Sequence, residues 1–167
     1  MLYDSTSGEL LIANKDNEKN GFIVVDNSLT GFQIHDNEHV AINFIKIEKE
    51  EFLDSSSIDR TYFALPFSIL KNSKNLLIVD YRKYLSEPNS AKSGYTSISN
   101  DKKYKKNIIY YILNKENKYV KTKLTKRSVL KKLKGNKKGL KSFIRKNNLK
   151  MNNEKDIVML LNYFHKK

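Results

Sequence analysis

The stretch Lys118-Tyr119-Val120-Lys121-Thr122-Lys123-Leu124-Thr125-Lys126-Arg127-Ser128-Val129-Leu130-Lys131-Lys132-Leu133 changes its period part-way along. Up to Leu124 polar and apolar residues alternate, the two-residue repeat of a half-buried strand. From Thr125 the apolar residues Val129, Leu130 and Leu133 fall three or four apart, the repeat of a helix with one buried stripe. The chain therefore divides near residue 124 into a β-rich front over 1–124 and a helical tail over 125–167. This is an α+β organisation, an antiparallel β-sheet or partial barrel followed by three short C-terminal helices.

Downstream of the switch, Thr125 can cap the first helix and Gly135 can end it. A second helix from about Lys137 carries Leu140, Phe143 and Ile144 and stops near Asn147-Asn148. A third opens at Asn153 and carries Ile157, Leu160, Leu161 and Phe164. Helices this short are marginal alone in water, so their stripes are expected to meet in one cluster with the lysines pointing outward.

Upstream, short β-branched and aromatic runs are punctuated by turn residues, as in antiparallel sheet. Glu9-Leu10-Leu11-Ile12-Ala13-Asn14 and Gly21-Phe22-Ile23-Val24-Val25 are two such runs. Gly31-Phe32-Gln33-Ile34-His35 and His39-Val40-Ala41-Ile42-Asn43-Phe44, with Asp36-Asn37 between them, predict a hairpin over 31–45. Ile45, Ile47 and Phe52 are expected to continue a strand or short edge segment. A second hairpin is expected at 61–82, where Pro66 suggests an edge strand or bulge. Residues 86–106, with Pro88, Gly94 and several Ser and Asn, predict a long mobile loop, and Asn107 to Leu113 predict a strongly apolar strand.

Charge is divided as sharply as period. Residues 101–167 carry 22 Lys+Arg against 4 Asp+Glu, about +18, whereas the first hundred carry 10 against 14, about −4. Such asymmetry suggests a basic module for phosphate or an anionic lipid surface. Lys137, Lys138, Lys141, Arg145 and Lys146 form a candidate anion-binding surface on the second tail helix. Arg60, Arg82, Arg127 and Arg145 are the only arginines, which leaves little for bidentate phosphate recognition. A composition rich in Asn, Lys, Ile and Tyr also marks AT-rich coding, which raises lysine content without functional demand.

The chemistry these residues exclude is extensive. With no cysteine there is no disulfide, thiolate metal site or cysteine nucleophile. His35 and His39 form a candidate metal pair, but Asp36-Asn37 is turn chemistry, so they are expected to begin and end a hairpin tip. Glu48, Glu50, Glu51 and Asp54 could serve acid–base work or hold a cation, and are expected to be a solvated acidic segment. His165 is placed where a cation complements a helix dipole. No Gly-x-Ser-x-Gly elbow and no Walker spacing occur, so no catalytic residue and no cofactor is assigned. No apolar run reaches the roughly 20 residues of a membrane helix. The opening Met1-Leu2-Tyr3-Asp4-Ser5-Thr6 does not read as a signal peptide, which points to the cytoplasm if the native chain starts at Met1.

One resemblance bears on the tail. Leu124 to Leu133, then Asn136-Lys137-Lys138-Gly139-Leu140-Lys141-Ser142-Phe143-Ile144-Arg145-Lys146-Asn147-Asn148-Leu149, then Asn153 to Phe164, is similar to the end of a group of uncharacterised exported proteins of Bacteroidota. Tyr62-Phe63-Ala64-Leu65, Leu76-Leu77 and Ile109-Tyr110-Tyr111-Ile112 resemble its upstream parts. The resemblance implies export to the periplasm or cell surface, and implies no catalytic residue. Together these readings predict a non-enzymatic, envelope-associated binding or interaction protein whose partner is an unknown protein or an anionic surface. The alternative is a basic nucleic-acid-binding protein that uses the C-terminal helices, with Tyr110 and Tyr111 available to stack on bases.

Overall fold

The structure is a computed structural model that describes residues 2–4, 9–13, 22–24, 29–35, 41–66, 75–86 and 103–166. Strands β1 (Leu2–Asp4), β2 (Glu9–Ala13) and β3 (Phe22–Val24) form one antiparallel sheet in chain order. A second, open sheet of six antiparallel strands also runs in chain order. Its strands are β4 (Gly31–His35), β5 (Ala41–Lys46), β6 (Tyr62–Leu65), β7 (Leu77–Ser86), β8 (Lys103–Leu113) and β9 (Tyr119–Thr122). Three helices follow, α1 (Lys126–Lys132), α2 (Lys137–Lys146) and α3 (Glu154–His165). The expected α+β order holds, with the sheet open. Strand β1 is an element that the sequence reading missed.

The hairpin expected at 31–45 is β4–β5, with Gly31 opposite Ile45 and His35 opposite Ala41. A Cβ on Gly31 would lie 2.5 Å from the Phe44 carbonyl oxygen, so this position takes no side chain without a backbone shift. Phe32 instead stacks on Phe44, its cross-strand partner, with ring centroids 4.8 Å apart.

Several expectations give way. Pro66 does not mark an edge strand, because β6 lies between β5 and β7, and Pro66 follows the last strand residue. After β5 the chain does not continue as a strand. It turns through 3-10 segments at Lys49–Glu51 and Ser55–Ser57, and between them Phe52 bridges to Tyr119. The loop expected over 86–106 is too long at both ends, since β7 runs to Ser86 and β8 begins at Lys103, pairing in register with it. The backbone ladder holds this arm although its residues lack the apolar alternation of a buried strand. Positions 87–102, 36–40 and 67–74 lie outside the described residues.

Alternation along the paired strands assigns the two faces. Phe63, Ile78, Tyr111 and Tyr119 share one face, on which Phe52 lies with its ring 5.1 to 5.5 Å from those of Phe63, Tyr111 and Tyr119. The segment from Ile47 to Arg60 thus covers this face, burying Ile47, Phe52 and Ile58. Leu77, Ile112 and Val120 are in register across the other face. There the helices pack, and Ser128 of α1 meets Thr122 of β9 with hydroxyl oxygens 2.9 Å apart.

The apolar stripes meet as expected: Val129, Leu130, Leu133, Leu140, Ile144, Ile157, Leu160, Leu161 and Phe164 are buried, and Phe143 packs on them half-buried. Their cluster is continuous with the sheet core around Ile78 and Ile112. Each helix begins on a side chain that accepts a backbone N–H: Thr125 from Ser128, Asn136 from Gly139 and Asn153 from Asp156. Gly135 does not end α1, whose last residue is Lys132, with Leu133 as cap and fully buried. Helix α2 ends as expected at Asn147-Asn148. Asn148 is left-handed (φ 50), and Leu149 and Asn148 donate back to the carbonyls of Ile144 and Arg145. Among the described residues no helix is long and apolar enough to cross a membrane.

The packing predicts a clear order of mutational cost. Leu161→Ala should destabilise by about 2–5 kcal/mol in urea unfolding, the cost of a cavity in a fully buried site. Phe143→Ala should cost less, because its ring is half-buried and stacked on Tyr163 at 4.1 Å. Replacing both Lys137 and Lys138 by Gln should change stability by no more than about 0.5 kcal/mol per site.

Candidate functional site

The five cations picked out on α2 are all exposed, and the helix spacing separates them. Lys137, Lys141 and Arg145 recur every four residues along one side, with Lys138 beside them, whereas Lys146 is turned opposite Lys137. Lys137 and Lys141 face a groove of about 530 Å³ whose other wall is α1, supplied by Lys126, Arg127 and Lys131 over Leu130. Lys138, Arg145 and Lys146 do not line it. The α1 contribution was invisible to a reading of α2 alone, because it depends on how the two helices pack.

Among the described residues no carboxylate lines the groove, and none of its five cations forms an ion pair. The acidic groups of the tail are used elsewhere. Asp156 accepts from the backbone of Lys150 (2.6 Å) and Met151 (3.2 Å), holding the turn before α3. Glu154 accepts from Tyr110 of β8. Burial raises the Glu154 carboxyl above its ordinary value, against that hydrogen bond, and burial and Glu154 together push the Tyr110 phenol up to about 12.

The other candidates are local structure. His35 ends β4 where the hairpin tip begins, and His39 lies outside the described residues. Among the described residues no group of three or more His, Asp or Glu is placed to hold a metal ion. Glu48, Glu51 and Asp54 are exposed and locally engaged: Glu48 pairs with Lys46 at 2.8 Å, Glu51 accepts from the Glu48 N–H at 3.1 Å, and Asp54 accepts from Ser56 at 2.8 Å. Glu50 is exposed beside them. Its carbonyl accepts from Lys118. His165 Nε2 lies 3.0 Å from the Leu113 carbonyl oxygen, joining the end of α3 to β8.

A buried ionic network was missed. Asp80, 1% exposed in the middle of β7, receives a hydrogen bond from Arg82 Nε at 2.6 Å, and Arg60 Nε lies 3.4 Å from its other oxygen. Arg82 also grips Asp59 with both terminal nitrogens, at 3.0 and 2.8 Å. Burial pushes the Asp80 carboxyl above its ordinary value, opposed by Arg82 and Arg60. Burial acts the same way on Asp59, but Arg82 outweighs it there and holds that carboxyl below its ordinary value. The signal was available in Leu76-Leu77-Ile78-Val79-Asp80-Tyr81-Arg82, where an acid interrupts an apolar run and a same-face arginine follows two residues later. The network ties Asp59 and Arg60 to β7 and so fixes the segment that covers this face.

No known protein family, curated protein or solved structure matches the chain.

Two outcomes follow from these charges. Asp80→Ala, which removes the buried carboxylate shared by Arg60 and Arg82, should cost about 3–5 kcal/mol by chemical denaturation. Glu154 has a folded pKa above its unfolded one, so the folded state binds the proton more tightly, and the stability it contributes grows as pH falls through the folded value. Glu154→Gln should therefore raise the melting temperature at pH 7, and the difference from the parent should shrink as pH is lowered to 4.

Proposed function

We propose that the chain is a non-enzymatic binding module that engages an anionic partner surface through the groove between α1 and α2. The observation that carries this reading is the convergence of Lys126, Arg127, Lys131, Lys137 and Lys141 on one concavity with no carboxylate among its described lining residues. Like charges held together in this way repel one another, and an anionic partner removes that cost while releasing its own counterions. Lysine suits a lipid-phosphate or sulfate surface as a point charge, and the bidentate grip of arginine is limited here to Arg127. The envelope location draws on the resemblance of the tail. Nucleic acid is the second reading, favoured by the arrangement of two helices joined by a short turn.

Co-sedimentation with vesicles containing anionic phospholipid, run beside a duplex DNA and at two salt concentrations, tests the proposal. Binding to the vesicles that weakens steeply with salt, and that is lost in the Lys131→Gln/Lys137→Gln/Lys141→Gln variant, is expected. Tighter binding to the duplex would transfer the groove to the nucleic-acid reading. A folded triple variant that binds as well as the parent overturns both.

A further inference from the structure

A second concavity lies on the helix-bearing face of the sheet, away from the basic groove, and its lining is of a different kind. Ile34 of β4 with Ile42 and Phe44 of β5 form one side, and Tyr81 of β7 with Ile108 of β8 form the other, around about 330 Å³. That volume falls within the range of about 300–1,000 Å³ typical of small-molecule sites. Phe44 is buried, whereas Ile108 is 46% exposed at the mouth.

The register places one cationic pair at the edge of this apolar space. Tyr81 is opposite Ile108, and the next pair on the same face along the arm is Lys83 opposite Lys106. Both lysines line the cavity and are exposed, and like charges directly opposite one another destabilise a strand pair. Arg82 also borders the cavity, but its guanidinium is committed to Asp80 and Asp59. The cavity is thus apolar in its walls and positive at the arm.

We infer that this cavity is a binding site for a small amphipathic anion, with an aliphatic or aromatic body between Ile34, Ile42, Phe44 and Ile108 and its head group at Lys83 and Lys106. The charge placement fixes the orientation. A carboxylate, sulfate or phosphate head at the arm relieves the repulsion between the paired lysines, whereas the reversed pose would set it against the apolar walls. The apolar body displaces water from the wall residues, which supplies the driving force. The head supplies the discrimination between anion and neutral analogue.

Isothermal titration of the full chain with decanoate and with decanol, below their aggregation limits, tests the site. One saturable decanoate site is expected, with decanol bound roughly tenfold more weakly, the scale of a charge-assisted contact. Lys83→Gln/Lys106→Gln should abolish that preference, and Ile108→Glu should weaken both probes while the far-UV circular dichroism stays unchanged. Lys137→Gln/Lys141→Gln should leave decanoate binding intact, so failure of this site and failure of the basic groove are read separately. Absence of a saturable site, equal binding of the two probes, an unaltered preference in the Lys83/Lys106 variant, or loss of decanoate binding in the Lys137/Lys141 variant overturns the inference.

Discussion

Strands β7 and β8 are covered on both faces where they meet, and this constraint governs the rest of the molecule. Leu76 to Asp80 and Tyr111 to Asn114 are all buried. A strand buried on both sides gains from apolar residues at every position, and Asp80 is the exception on β7. A lone carboxylate there would be costly, so its place in the core depends on Arg82 from its own strand and Arg60 from the covering segment. The same contacts that satisfy the charge position the segment. Phe52 can then reach Phe63, Tyr111 and Tyr119.

The opposite face is closed by helices that are too short to stand alone. Their apolar stripes are buried in the core that they share with the sheet, and the hydrogen bonds at Ser128, Glu154 and His165 set where they lie on it. Once those stripes face inward, Lys126, Arg127 and Lys131 of α1 are left facing Lys137 and Lys141 of α2. The basic groove is therefore a by-product of the packing geometry as much as of the lysine content.

The parts legible in the sequence were those encoded by neighbours along the chain. The change of period near Leu124, the caps at Thr125 and Asn153 and the stop at Asn147-Asn148 all depend on residues within one turn of each other. The extension of β8 back to Lys103 was hidden, because Lys103-Tyr104-Lys105-Lys106-Asn107 carries no apolar face and owes its form to the ladder with β7. The end of α1 was misplaced because a buried Leu133 outweighs the usual attraction of a glycine. The candidate sites were legible only in part. Half of the basic groove comes from α1, and the apolar cavity joins β4 and β5 to β7 and β8, combinations that sequence distance conceals.

The bridge between Phe52 and Tyr119 bears on self-association. A terminal strand leaves one row of backbone donors and acceptors open, and that row is the usual template on which another copy adds a strand. β9 is the last strand of its sheet, and the Leu53 N–H already donates to the Tyr119 carbonyl at 3.0 Å. The chain thus places its own backbone against that edge at Tyr119. A second molecule seeking to extend the sheet there would first have to lift away the aromatic segment anchored by Phe52, so the protein guards this border with a piece of its own core.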